Sequence, residues 1–289
     1  TTAALASAAP VSPATVQAGD LVGTWTLPDG RAAKAVVKIP RPAPGAPTLT
    51  LGAVPAGADA RPYFEAALAQ ARTLGASKLV IPRATYTFRS TSQAGAAHLL
   101  VEKLRDITID GSGARLVFTH DADGIVIRQS QRLMLRNLQI DYALRTASLA
   151  TSRVGAGGRI ELVVDARFPV GSTDALHYVS EYDRATGTWV PGGWRVILPP
   201  ETTTPASLVA AQVYTSSAFA RLPAGRSFVL MHHWYGGAAV KVADSPGATQ
   251  AEDIVVDGVQ VQSGPGMGFV AYGMKRGYAL INSVVAPRP

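Results

Sequence analysis

The sequence contains no cysteine. That removes disulfides, thiolate metal ligands and a cysteine nucleophile, and leaves the redox compartment open. Charged residues are scarce, at 16% of the chain against a usual value of about 25%. Aromatic residues make up 7% and apolar residues 47%. Such a composition excludes a disordered chain and a coiled coil. No apolar run approaches the roughly 18 residues of a membrane helix, so no membrane span is expected. Several enzyme motifs are missing as well. There is no GxSxG elbow, no P-loop and no HExxH, which disfavours serine hydrolysis, nucleotide hydrolysis and metal catalysis. No cofactor is expected.

What is present is a chain of 289 residues and 30.1 kDa, enough to hide about 73% of its unfolded surface on folding. The net charge is +7. A basic surface suits nucleic acid or acidic polysaccharide. Here the cations stand singly, as at Arg128, Arg132, Arg136 and Arg145, which is the pattern of a solvated surface, and no nucleic-acid partner is expected. Ala3 to Pro10 (AALASAAP) reads either as the small-residue tail of a secretory signal or as a flexible Ala/Pro linker. Secretion or a periplasmic location is the expectation.

Residues 1–52 read as a short β element and a connector. Leu21 to Leu27 and Ala35 to Ile39 flank the turn Pro28-Asp29-Gly30, and Pro40, Pro42, Pro44 and Pro47 follow as a stiff linker. Tyr63, Phe64, Ala67, Leu68, Ala71 and Leu74 recur at helical spacing, and Gly75 sits where a helix ends. Strands are expected at Lys78 to Ile81 and at Tyr86 to Phe88.

An internal repeat organises the rest. In LMLRNLQI the apolar positions are Leu133, Leu135, Leu138 and Ile140; Ile254, Val256, Val259 and Val261 match them 121 residues on. Tyr278, Leu280 and Val285 follow 24 residues later, and Ile107 and Ile109 lie 26 residues earlier. A second template joins Ile125 and Ile127 to Val240 and Val242, then to Phe269 and Ala271. Steps of this size are those of solenoids, in which each coil buries its inner face only by stacking. The expected architecture is an all-β parallel β-helix. Asn137 and Asn282 fall at one turn position, where asparagine tolerates a left-handed backbone. The long step marks an insertion near 143–230, read as a small antiparallel barrel or sandwich of five or six strands. The division is therefore 1–52, first coils 53–142, inserted domain 143–230 and further coils 231–289. Asp110, Arg136 and Asp257 share one repeat position and form an expected outward charge ladder, either a polysaccharide-contacting row or plain surface ion pairs.

The stretches FEAALAQARTLGASKLVIPRATYTF and ITIDGSGARLVF resemble the start of pectin-lyase-like right-handed β-helix proteins, in which a helix caps the first coil. LMLRNLQIDY, FVLMHHWYGGAAVKV and PGMGFVAYG are similar to exo-acting α-1,3-galactosidases of glycoside hydrolase family 110. The resemblance implies an inverting glycoside hydrolase, an oligosaccharide or polysaccharide substrate, and catalytic carboxylates on coils after the PGMG segment. No catalytic residue is assigned in this chain, and a C-terminal remainder of the same enzyme is expected to carry them. Alternatives are a polysaccharide lyase or polygalacturonase-like enzyme, and a non-catalytic glycan-binding or surface module.

Asp141, at the end of a core strand beside the insertion, matches the Asp-Tyr of the family pattern and is a substrate-binding candidate; the other reading is a turn cap. His232 and His233 alternate to opposite faces and cannot chelate one metal together. His233 is the second substrate-site candidate and Tyr235, a stacking platform like Trp234, the third. Asp121 and Asp123 lie in a turn, and Glu252 and Asp253 read as solvated turn residues. Gly264, Gly266 and Gly268 lack the strand–helix context of a dinucleotide site. No aspartate cluster suggests calcium.

Overall fold

The computed structural model describes residues 15–92, 97–143, 147–168, 170, 176–198, 207–210, 212–232, 237–244, 249–264 and 266–286. The described residues are mostly β, with parallel sheets and one α-helix. Strands β1 (Leu21–Thr26) and β2 (Ala32–Val37) form an antiparallel hairpin. Strand β3 (Thr48–Thr50) pairs in parallel with β4 (Lys78–Val80). The proline-rich segment therefore ends in a strand that already belongs to the main sheet, before residue 52.

Helix α1 (Arg61–Leu74) lies between them, with proline in its first turn and Gly75 as its left-handed C-cap at φ 59°. Phe64, Leu68 and Ala71 are buried, whereas Tyr63 and Leu74 are exposed. The buried stripe is therefore narrower than the apolar spacing suggests. Asp59, just before the helix, accepts from Arg61 N–H at 3.1 Å and Arg89 N–H at 2.9 Å. It thereby ties the helix start to the end of β5 (Thr85–Phe88).

After β6 (Ala97–Glu102) the chain runs through β7 (Arg105–Phe118), β8 (Asp123–Arg128) and β9 (Gln131–Tyr142). It returns as β18 (Ala238–Ala243), β19 (Glu252–Asp257), β20 (Gln260–Val261), β21 (Met267–Tyr272), β22 (Arg276–Ile281) and β23 (Val284–Val285). Strands β7 and β9 each turn a corner, so their two halves enter two rows of strands. One row runs β3, β4, β7, β9, β19, β22; the second runs β5, β7, β9, β20, β23. A third runs β6, β8, β18, β21. All these pairings are parallel. The repeat sets their register: Leu133 pairs with Ile254 and Ile107, Ile254 with Tyr278, and Ile125 with Val240.

The inward residues of the three rows form one core that includes Leu79, Ile109, Leu135, Val256, Leu116 and Ile127. Inside it Phe64, Phe88, Phe118 and Tyr142 step along the stack at 5.0, 5.0 and 5.2 Å, edge to face, the arrangement aromatic quadrupoles favour. Toward the last strands the same positions open to solvent. Leu280 is 42% and Val285 61% exposed.

The corners use left-handed residues. Asn137 (φ 56°) and Asn282 (φ 49°) occupy the turn position that the repeat assigns them. Their side-chain amides donate to Asp110 and Asp257 at 3.0 and 2.8 Å. A second left-handed column starts the first row: Asp106, Arg132, Asp253 and Gly277. Each such L-residue costs about 1–2 kcal/mol. Charge-assisted bonds offset that cost, from Arg132 to Asp106 at 2.5 and 2.6 Å and from Arg276 to Asp253 at 2.8 Å. Backbone N–H groups of Lys38 and Arg41 donate to Asp253 and Asp106, so the segment after the hairpin lies over this column. Glu252 and Asp253 are buried within β19. This corrects their reading as solvated turn residues: each neutralises arginine or lysine from the next strand.

Between β9 and β18 lie β10 (Ala147–Val154), β11 (Ile160–Val164), β12 (Tyr178–Asp183), β13 (Thr188–Trp189), β14 (Arg195–Ile197), β15 (Ser207–Ala210), β16 (Val213–Thr215) and β17 (Ser227–Met231). They form one antiparallel sheet in the order β13-β12-β17-β10-β11-β16-β15, with β14 also on β12. Eight strands thus replace the five or six read from the sequence. The segment Leu208 to Tyr214, read as one alternation, is the two strands β15 and β16, and β10 and β17 at the ends of the insertion add to those read. Phe228, Leu230, Val179, Leu162 and Tyr214 build a second core on one face of this sheet.

Candidate functional site

Where β7 and β9 turn from the first row into the second, their corners leave an open cleft of about 310 Å³. Ser112 and Gly113 come from the corner of β7, Asn137, Leu138 and Gln139 from that of β9, and Gly258 and Gln260 from the approach to β20. Strand alternation explains the polarity. Leu116, Ile140 and Val261 point inward, so Arg115, Gln139 and Gln260, one residue away and paired across the row, point outward. The Asn137 amide is fixed by Asp110, which also accepts from Lys78 Nζ at 2.9 Å and Ser112 N–H at 3.0 Å. Burial opposes ionisation of Asp110, yet these donors hold its carboxyl down at about 2.

Asp141 lies next to this cleft and is fully buried. Its Oδ1 accepts from Ser263 Oγ at 2.5 Å and Tyr142 N–H at 2.9 Å, and its Oδ2 from Arg115 Nη2 at 2.5 Å. The enclosed carboxylate holds Arg115 and Ser263 in place. The guanidinium it anchors is 40% exposed beside Gln139. The other two candidates, His233 and Tyr235, and Trp234 with them, lie outside the described residues. His232 is buried, 2.9 Å from Ser148 Oγ and stacked on Tyr214, so it packs against the antiparallel sheet.

Asp123 also differs from its turn reading. It opens β8, buried, accepting from Ala238 N–H at 2.8 Å and Lys241 Nζ at 2.9 Å. Asp121 is exposed. The expected charge ladder holds as a repeat position, but Asp110 is buried and Arg136 reaches it only at 4.0 Å. Asp110 is shared between Lys78 and the corner Asn137, and Asp257 binds Asn282. A larger hollow of about 520 Å³ lies between residues 51–58 and strand β5. Its Arg89 and Tyr86 side chains are turned onto backbone carbonyls of Gly57 and Pro82, leaving walls that are mostly small and apolar.

The corner cleft thus combines amides, a hydroxyl and a neighbouring guanidinium, donors and acceptors suited to vicinal hydroxyls. The described residues lining it include no carboxylate, and so no acid–base pair. Sequence reasoning missed Ser112, Arg115, Gln139, Gln260 and Ser263. The signal was present, since Arg115, Gln139 and Gln260 recur at the same steps as the apolar residues. Among the described residues no three His, Asp or Glu side chains gather as metal ligands. Among the described residues no helix is long and apolar enough to cross a membrane. No family model matches the chain, and no curated protein matches it either.

Proposed function

We propose that this chain is a glycan-binding protein built on a right-handed parallel β-helix, with residues 143–230 as an inserted domain. The observation that carries the reading is the corner cleft, in which Ser112, Asn137, Gln139 and Gln260 line up across three successive strands. A row of amides along stacked coils meets successive hydroxyls of an oligosaccharide lying across the strands. Three parallel rows with one common register support the β-helix, and α1 over the first coil fits a cap. A secreted or periplasmic location agrees with such a ligand.

A second reading is the substrate-binding part of an exo-acting, inverting glycoside hydrolase of α-galactosidase type. The run LMLRNLQIDY favours it, because its Asp141 fixes Arg115 at the cleft rim. Inversion needs two carboxylates roughly 6.5–9.5 Å apart facing one sugar. A glycan array including terminal galactosides, followed by a galactose-release assay on the hits, tests both. Binding without release supports the module; release of galactose supports the hydrolase; no binding to any glycan overturns both.

A further inference from the structure

The antiparallel sheet carries a second exposed face, opposite its core. Strand alternation puts Val179 and Val196 into that core. Tyr178, Ser180 and Tyr182 of β12 therefore face the other way, as do Arg195 and Ile197 of β14. The register sets Ile197 opposite Tyr178, Arg195 opposite Ser180, and Trp189 opposite Tyr182. Trp189 is 46% and Ile197 63% exposed. Tyr182 and Trp189 meet edge to face at 6.3 Å, which stands the indole as a fixed platform.

Arg195 separates the two apolar ends of this face. It is exposed, and no ion-pair partner for it occurs among the described residues. The other nearby guanidinium, that of Arg184, is neutralised by Asp165 at 2.8 Å and bonded to Ser227. Among the described residues, one cation without an ion-pair partner thus stands between a Tyr–Trp platform and a Tyr–Ile pair. Tyr178 and Tyr182 are four residues apart on one face, about 13 Å along the strand, longer than one sugar ring.

We infer that this face binds an anionic glycan chain. The apolar C–H faces of its rings stack on Trp189 and Tyr178, and a carboxylate or sulfate of the sugar between them pairs with Arg195. Charge complementarity selects this occupant: a neutral chain satisfies the rings and leaves the guanidinium unmatched. The site shares no residue with the corner cleft and stands whether or not that cleft binds a glycan.

The test uses the full chain, with polygalacturonate and heparin as anionic probes and dextran as the neutral one, in affinity electrophoresis at low and high salt. Trp189→Ala should weaken binding of the retained anionic probe about tenfold or more, and Trp189→Phe less. Arg195→Ala should abolish the salt dependence. Both side chains are exposed, and an unchanged thermal unfolding curve shows that each variant folds. Retention of polygalacturonate alone assigns the carboxylate, and of heparin alone the sulfate. Equal retention of dextran, retention of neither anionic probe, or unchanged binding by Trp189→Ala and Arg195→Ala would overturn the inference.

Discussion

Lowering the pH from 6.5 to 4 should destabilise the protein by about 3 kcal/mol through one side chain, His98. The imidazole is fully buried and stacked on Phe118 at 4.7 Å. Its Nε2 accepts from His120 N–H at 3.1 Å, so the proton sits on Nδ1, which donates to Asp123 O at 3.1 Å. A second proton has no acceptor. Burial, first, and His120 nearby push the His98 pKa down from 6.5 to about 4. The unfolded chain therefore takes up the proton first as pH falls. The stability is fully present above pH 6.5, declines through the window down to about 4 and does not change further below it. Asp110 acts lower. Its depressed pKa stabilises above the ordinary carboxylate value of 3.8, and that contribution is lost only between 3.8 and about 2. Urea unfolding across pH 7 to 4 on wild type and His98→Gln reads the effect. The wild-type free energy should fall by up to about 1.4 kcal/mol per pH unit more steeply than that of the variant. Equal slopes would refute the reasoning.

Asn137→Ala should cost about 2–3 kcal/mol in urea unfolding, from the left-handed backbone and the lost bond to Asp110, whereas Asn137→Gly should cost about 1. Gly124→Ala should cost about 3 kcal/mol, because a Cβ there meets the Ala239 carbonyl at 2.4 Å and the Tyr142 hydroxyl at 2.9 Å; thermal unfolding checks it. Asp141→Ala should cost about 1–3 kcal/mol, since it removes the acceptor for Tyr142 N–H, Ser263 and Arg115 while the half-exposed Arg115 keeps its contact with water, and Asp141→Asn should cost less. In both Asp141 variants glycan affinity at the corner cleft should fall with the loosened Arg115, which calorimetry would show.

The repeat was legible because one physical demand recurs at every repeat. Leu133, Ile254 and Tyr278 must meet the same interior, so their spacing set the register before any coordinates. Asn137 and Asn282 were legible for a similar reason, as few other residues accept that turn. Glu252 and Asp253 misled, because a charged pair reads as exposed until Lys275 and Arg276 arrive from the next strand to neutralise it. Asp141 was legible only in part. Its position beside the insertion was visible, but its burial depends on Ser263, 122 residues away. The corner cleft was hidden because no single stretch contains it; only stacking brings Ser112, Gln139 and Gln260 together.

The measurement closest to the central claim is calorimetric titration of an array-selected oligosaccharide into wild type and the Gln139→Ala/Gln260→Ala double variant. Two lost hydrogen bonds of about 1 kcal/mol each should weaken binding by about thirtyfold, with the unfolding curve unchanged. Equal affinity in the two proteins would contradict a glycan site at the corner of the stacked strands.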